Sequence, residues 1–174
     1  MRGLAALVLV AGLAGGGCKR ARHTNPGATI EEQTELASAI SVADRRDSSQ
    51  LLSGFHEVEQ GAWRWTMKEF AVSLAPPPES AIKGARLELE FSLPQAVAGK
   101  LLGVSITPSV SGVRLKPFKV ERVGDQKASF DVSYEQLRGE AVIVQFFLDR
   151  AMAPGDGDSR ELGLVVSRIG FLPR

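Results

Sequence analysis

Two hydrophobic patterns follow one another along this chain. Residues 4–13 (LAALVLVAGL) form one unbroken apolar run, whereas from Leu51 onward apolar positions alternate with polar ones or come in short runs cut by turn residues. A run of ten apolar residues is about half the ~20 that a helix needs to span a bilayer. The later pattern is that of short strands in a sandwich or barrel. Residues 86–91 (RLELEF) alternate strictly, which places Leu87, Leu89 and Phe91 on a buried face and the charges in water. Residues 141–148 (AVIVQFFL) are apolar at nearly every position, which predicts a central strand covered on both faces. Further strands are predicted at 63–65, 70–74, 101–106, 112–120, 128–132 and 162–171. The turn signals fall at 75–78 (APPP), 93–95, 107–109, 123–125 and 154–158 (PGDGD). About eight strands in one domain predict a mainly β fold, an antiparallel jelly-roll-like β-sandwich over 51–174. Residues 134–138 predict one helical turn, ended by Gly139.

Ahead of the sandwich, Thr29-Ile30-Glu31-Glu32 has the form of a capping box, and Leu36 and Ile40 follow at helical spacing. A short, marginal helix is therefore expected over 30–42, with a linker at 44–49. Residues 19–27 (KRARHTNPG) read as a solvated tether. Arg2, the apolar run and the small residues Ala14 to Gly17 before Cys18 have the order of a secretory signal over 1–17. The patch with Cys18 resembles a lipobox, although Gly15 stands where Leu is usual. That resemblance implies a lipid on Cys18, membrane anchoring and residence in the cell envelope, with the outer membrane favoured because Lys19 is not the Asp that often marks inner-membrane retention. The alternative is plain secretion, with cleavage after Ala14.

Composition narrows the chemistry. Cys18 is the only cysteine, so no intramolecular disulfide forms. A formal charge of +1 provides no field for nucleic acid. His56-Glu57-Val58-Glu59-Gln60 lacks the second His of a zinc-protease helix, and neither a Gly-x-Ser-x-Gly elbow nor a phosphate-binding glycine loop occurs. Glu57, Glu59 and Asp149 are the carboxylates that a glycoside hydrolase would have to draft, but nothing in the spacing pairs them. No catalytic residue is assigned. Asp149, Asp156, Asp158 and Glu161 have the oxygen-donor chemistry of a structural Ca²⁺ site, but their spacing misses an EF-hand. A solvated acidic loop with Arg150 and Arg160 as partners is preferred, and no cofactor is expected beyond the lipid.

Both tryptophans of the chain, Trp63 and Trp65, stand two apart and so share a strand face. Turned outward beside His56, Glu57 and Arg64, they would make an aromatic platform for a sugar ring. Turned inward, they are core residues, and the high average burial of Trp favours that reading. The segment 54–74 (GFHEVEQGAWRWTMKEFAVSL) and the ending 158–164 (DSRELGL) resemble β-sandwich domains of bacterial envelope and polysaccharide-processing proteins. Such domains are similar to galactose-binding-like, carbohydrate-binding modules. The resemblance implies a lipid-anchored binding module for a polysaccharide. The competing expectation is an assembly lipoprotein that docks another envelope protein.

Overall fold

The computed structural model describes residues 35–155 and 157–174. Cys18, the signal-like segment and the tether lie outside them. In chain order the strands are β1 (Ala39–Ser41), β2 (Leu51–Glu59), β3 (Trp63–Leu74), β4 (Ala85–Leu93), β5 (Ser105–Val110), β6 (Val113–Arg114), β7 (Phe118–Lys119), β8 (Gly124–Val132), β9 (Val142–Leu148) and β10 (Val165–Pro173). All pairings are antiparallel. The path β6-β5-β9-β3-β10-β4-β8 curls into a jelly-roll-like β-sandwich. One layer carries β2, β3, β9 and β5, and the other β1, β10, β4 and β8.

The layers are continuous because β3 belongs to both. Its second half pairs with β9 (Glu69 opposite Phe147 through Leu74 opposite Val142). Its first half pairs with β10 (Trp65 opposite Val165, Arg64 opposite Val166), while β2 follows both halves. Beyond Val166, β10 passes a register shift and takes β1 as neighbour, Ile40 opposite Ile169. Such a bulge bends a strand and re-aims its side chains.

The core follows from the alternation read in the sequence. Leu87, Leu89, Phe91 and Leu93 of β4 are buried, as are Ala128, Phe130 and Val132 of β8 and Val142, Val144, Phe146 and Leu148 of β9. Phe70 and Phe146 stack at 4.8 Å on adjacent strands. Phe118 meets Phe91 edge to face at 6.2 Å and Phe130 at 6.5 Å.

Several expectations need correction. Strand β9 lies between β5 and β3, yet only one of its faces is covered: Ile143 is 52% exposed, and Phe147 is shielded by the Arg114 guanidinium at 4.9 Å. A cation over the ring lets an aromatic side chain occupy an outer face. The strand expected at 101–106 starts late, because 98–101 forms a helical turn and β5 runs through Pro108. Residues 63–65 and 70–74 are one strand, and β2, with few buried positions to announce it, was not predicted. In the described part of the expected helix, Ala39–Ser41 is a strand, because pairing with β10 buries Ile40 where a lone helix has no comparable partner. The linker at 44–49 is instead a 3-10 turn, Arg45–Gln50, capped by the Asp44 carboxylate. The turn at 134–137 is present as expected and carries a Ser133/Gln136 capping box.

Gln50 ties this leading segment to the sheet. The side chain is 2% exposed, accepts from the Ala37 N–H at 2.9 Å, and donates to the carbonyls of Ala37 at 3.0 Å and Ser73 at 2.7 Å. Replacement by an isosteric apolar residue leaves three backbone groups without these partners. Gln50→Leu is therefore expected to lower unfolding free energy by about 2–4 kcal/mol, read as a shifted midpoint in urea denaturation.

Candidate functional site

The point where β3 changes partner is built by residues 158–164. Thr66 is fully buried; its N–H donates to the Leu164 carbonyl at 2.9 Å, its carbonyl accepts from Gly163 N–H at 2.6 Å, and its Oγ1 accepts from Leu164 N–H at 3.1 Å. Two residues on, the Lys68 N–H donates to Glu161 Oε1 at 2.7 Å. His56 Nε2 lies 2.6 Å from the Glu161 carbonyl. Gly163 has no room for a side chain, since a Cβ there would fall 2.7 Å from Leu148 Cδ1, Met67 O and Thr66 Oγ1. The two segments that carry the sequence resemblance are thus fastened to each other by hydrogen bonds.

Arg160 extends the fastening to the surface. Its guanidinium bridges Glu59 Oε1 at 2.8 Å and Asp158 Oδ2 at 2.8 Å. These bonds hold the Asp158 carboxyl down at about 2, chiefly through the guanidinium, and raise the Arg160 pKa in turn.

Trp63 and Trp65 project beside this junction. They share a face, as the spacing predicts, and meet edge to face with centroids 6.4 Å apart. They do not share an exposure: Trp65 is 9% exposed and belongs to the core, while Trp63 is half-buried. The difference arises because Trp63 opens β3, opposite Glu59 at the end of β2, where the covering layer stops. An edge-to-face pair of this kind adds about 0.5–1.5 kcal/mol beyond area burial, which holds the half-exposed ring in a fixed pose.

Two adjoining concavities, ≈ 520 and ≈ 470 Å³, share Trp63, Ser92, Asp125 and Val165 as lining. Glu90, Phe91, Arg122, Gln126, Lys127 and Ser167 complete the first, and Glu59, Trp65 and Pro94 the second. Across β4 and β8, Lys127 bridges Glu88 at 2.9 Å and Glu90 at 3.0 Å. Arg122 and Asp125 are exposed and have no ion-pair partner among the described residues. An aromatic face with a carboxylate, a guanidinium and a serine hydroxyl around it can stack on an apolar ring face and hydrogen-bond at its edge.

The remaining sequence candidates are engaged elsewhere. Arg64 is structural: Nε donates to the Val42 carbonyl at 2.6 Å and Nη1 to the His56 carbonyl at 2.8 Å, so it fastens the leading segment to β2. Glu57 is exposed and lines neither concavity. Of the three carboxylates a hydrolase would draft, Glu59 lines the second concavity but is paired with Arg160, and Asp149 accepts from Ser105 N–H at 3.1 Å. Among the proposed Ca²⁺ donors, Asp158 is held by Arg160 and Glu161 by Lys68 N–H, while Asp156 lies outside the described residues. No group of three metal-ligating side chains occurs among the described residues. Sequence reasoning missed Ser92, Arg122 and Asp125. The strands of Ser92 and Asp125 were partly legible and Arg122 lies just before β8, but only the neighbourhood of β4, β8 and β10 brings them to Trp63.

No family model matches the chain, and no curated protein matches it. Among solved structures it is similar to a family 35 carbohydrate-binding module from an environmental isolate, at TM-score 0.41 and 13% identity over 82% of this chain and 90% of that one. It is also similar to an exo-β-1,3-galactanase from Phanerochaete chrysosporium, at TM-score 0.39 and 11% identity over 79% of this chain and 29% of that one.

The depressed Asp158 carboxyl gives a signed prediction. Its folded value, about 2, lies below the ordinary 3.8, so its contribution to stability is complete above about pH 4 and is lost as the pH falls toward 2. Denaturation midpoints measured between pH 5 and pH 2 are expected to fall less steeply in Asp158→Asn than in the parent chain.

Proposed function

We propose that the domain is a non-catalytic glycan-binding module whose site is the concavity at Trp63, and that a lipid on Cys18 holds it at a membrane of the cell envelope. The observation that carries the binding reading is the half-exposed Trp63 ring, fixed edge to face on the buried Trp65 and flanked by Asp125, Arg122 and Ser92. Sugar rings present one apolar face and a rim of hydroxyls. A rigid indole answers the face at little entropic cost, and the flanking carboxylate and guanidinium answer the hydroxyls as acceptor and donor. The lipid reading rests on the order of Arg2, the apolar run, the small residues and Cys18.

Isothermal titration against a panel of envelope oligosaccharides tests the site. A ligand found this way is expected to lose at least about tenfold in affinity with Trp63→Ala and less with Asp125→Asn, while the thermal midpoint of each variant shows that the sandwich is still folded. Equal affinity in Trp63→Ala would move the site elsewhere. Mass spectrometry of the chain recovered from membranes is expected to show an acylated amino-terminal Cys18, and Cys18→Ser is expected to release the protein to the soluble fraction.

A further inference from the structure

β8 is the last strand of the sheet, hydrogen-bonded to β4 on one side and to no strand on the other. The peptide groups on that free side have no backbone partner among the described residues. The other free borders of the sheet are blunted: β2 is broken by three register shifts against β3, and β1, β6 and β7 are only two or three residues long. β8 instead runs from Gly124 to Val132 in unbroken register with β4 and contains no proline. A long, regular edge of this kind is a template for a further strand. The space beside it is open. A concavity of ≈ 570 Å³ separates Ser129, Phe130 and Asp131 from residues 113–118, where Val113 is 54% exposed and Leu115 and Phe118 are half-buried.

Charge selects the strand that fits. The outward-facing positions of β8 are Asp125, Lys127, Ser129 and Asp131, all exposed. If β8 pairs antiparallel with β8 of a second copy, the pleat requires like faces to align, so the two-fold axis passes through one residue position. An axis at Ala128 would pair the whole strand but sets Asp125 opposite the partner's Asp131 twice, and an axis at Lys127 brings two ammonium groups together. Like charges directly opposite are unfavourable. An axis at Ser129 pairs residues 126–132 and sets Lys127 opposite the partner's Asp131 on both sides of the axis. The inward row then places Phe130 against the partner's Ala128, large against small. Lys127 already bridges Glu88 and Glu90, and Asp131 already pairs with Arg174, so this register joins existing ion pairs into one network across the axis.

We propose that the chain forms a two-fold symmetric dimer through the free edge of β8, with Ser129 on the axis and Lys127 facing the partner's Asp131. An edge lysine disfavours indiscriminate pairing, and here the same charge fixes the register. The dimer does not rest on the glycan reading, and Arg122 and Asp125 precede the paired span.

Sedimentation of the full chain under reducing conditions, in which Cys18 forms no cross-link, is expected to show a monomer–dimer equilibrium. Lys127→Glu and Asp131→Lys each set like charges opposite one another at two places in the dimer, and each is expected to weaken it at least about tenfold, with thermal midpoints showing that the variants are folded. An equimolar mixture of the two variants is expected to dimerise again, because each chain then meets a strand of opposite charge. Such rescue in trans does not arise from repair of a folding defect. A parent chain that stays monomeric at about 1 mM, a dimer undiminished in both single variants, or a mixture that remains monomeric would overturn the proposal.

Discussion

The structure depends on one backbone problem: a single strand, β3, must leave one layer and enter the other without losing its hydrogen bonds. A buried peptide group that has left one ladder and not yet joined the next is costly. The residues 158–164 solve this at the crossing. Gly163 and Leu164 pair with Thr66 on both sides of its peptide, and the Glu161 carboxylate takes the N–H of Lys68. The close approach requires a glycine at 163, since any Cβ would collide with Thr66 and Leu148. Because β3 can cross, β9 and β10 both find a place on the same strand, and the two layers close over one core.

The same crossing creates the candidate site. Where β10 separates from β3 and passes to β1, the covering layer ends and Trp63 is left half exposed, braced by Trp65 below. Ser92 of β4, Asp125 of β8 and Val165 of β10 converge there because β10 pairs with β3 and β4 at once. The Glu59–Arg160–Asp158 bridge and the Lys127 bridge to Glu88 and Glu90 occupy most of the surrounding charges. Arg122 and Asp125 remain available to a ligand. The concavity is thus a by-product of the topology, lined by an indole.

Much of the fold was legible in the residues themselves. Strict alternation located β4 with its buried face, and residues 134–138 ahead of Gly139 located the turn before β9, since both signals are local. β1 was misread because Ile40 stands at helical spacing from Leu36 behind a capping box, and pairing with β10 overrides that signal. β9 was misread because a cation from Arg114 covers an outer aromatic that sequence alone would bury. At the site, the sequence found Trp63 and Trp65 and their common face. It also gathered His56, Glu57 and Arg64 around them by proximity in the chain. The pleat sends Glu57 to solvent, and His56 and Arg64 are engaged in backbone contacts. Ser92, Arg122 and Asp125 are distant in sequence, so no local pattern could assemble them.

The central claim is that Trp63 is a glycan platform rather than an outlying core residue. A Trp65→Phe variant leaves Trp63 as the sole indole, and its emission can be followed with iodide and with a series of envelope oligosaccharides. The account predicts red-shifted, iodide-quenchable emission that a binding glycan shifts and protects. Blue-shifted emission, insensitive both to iodide and to every glycan, would contradict it.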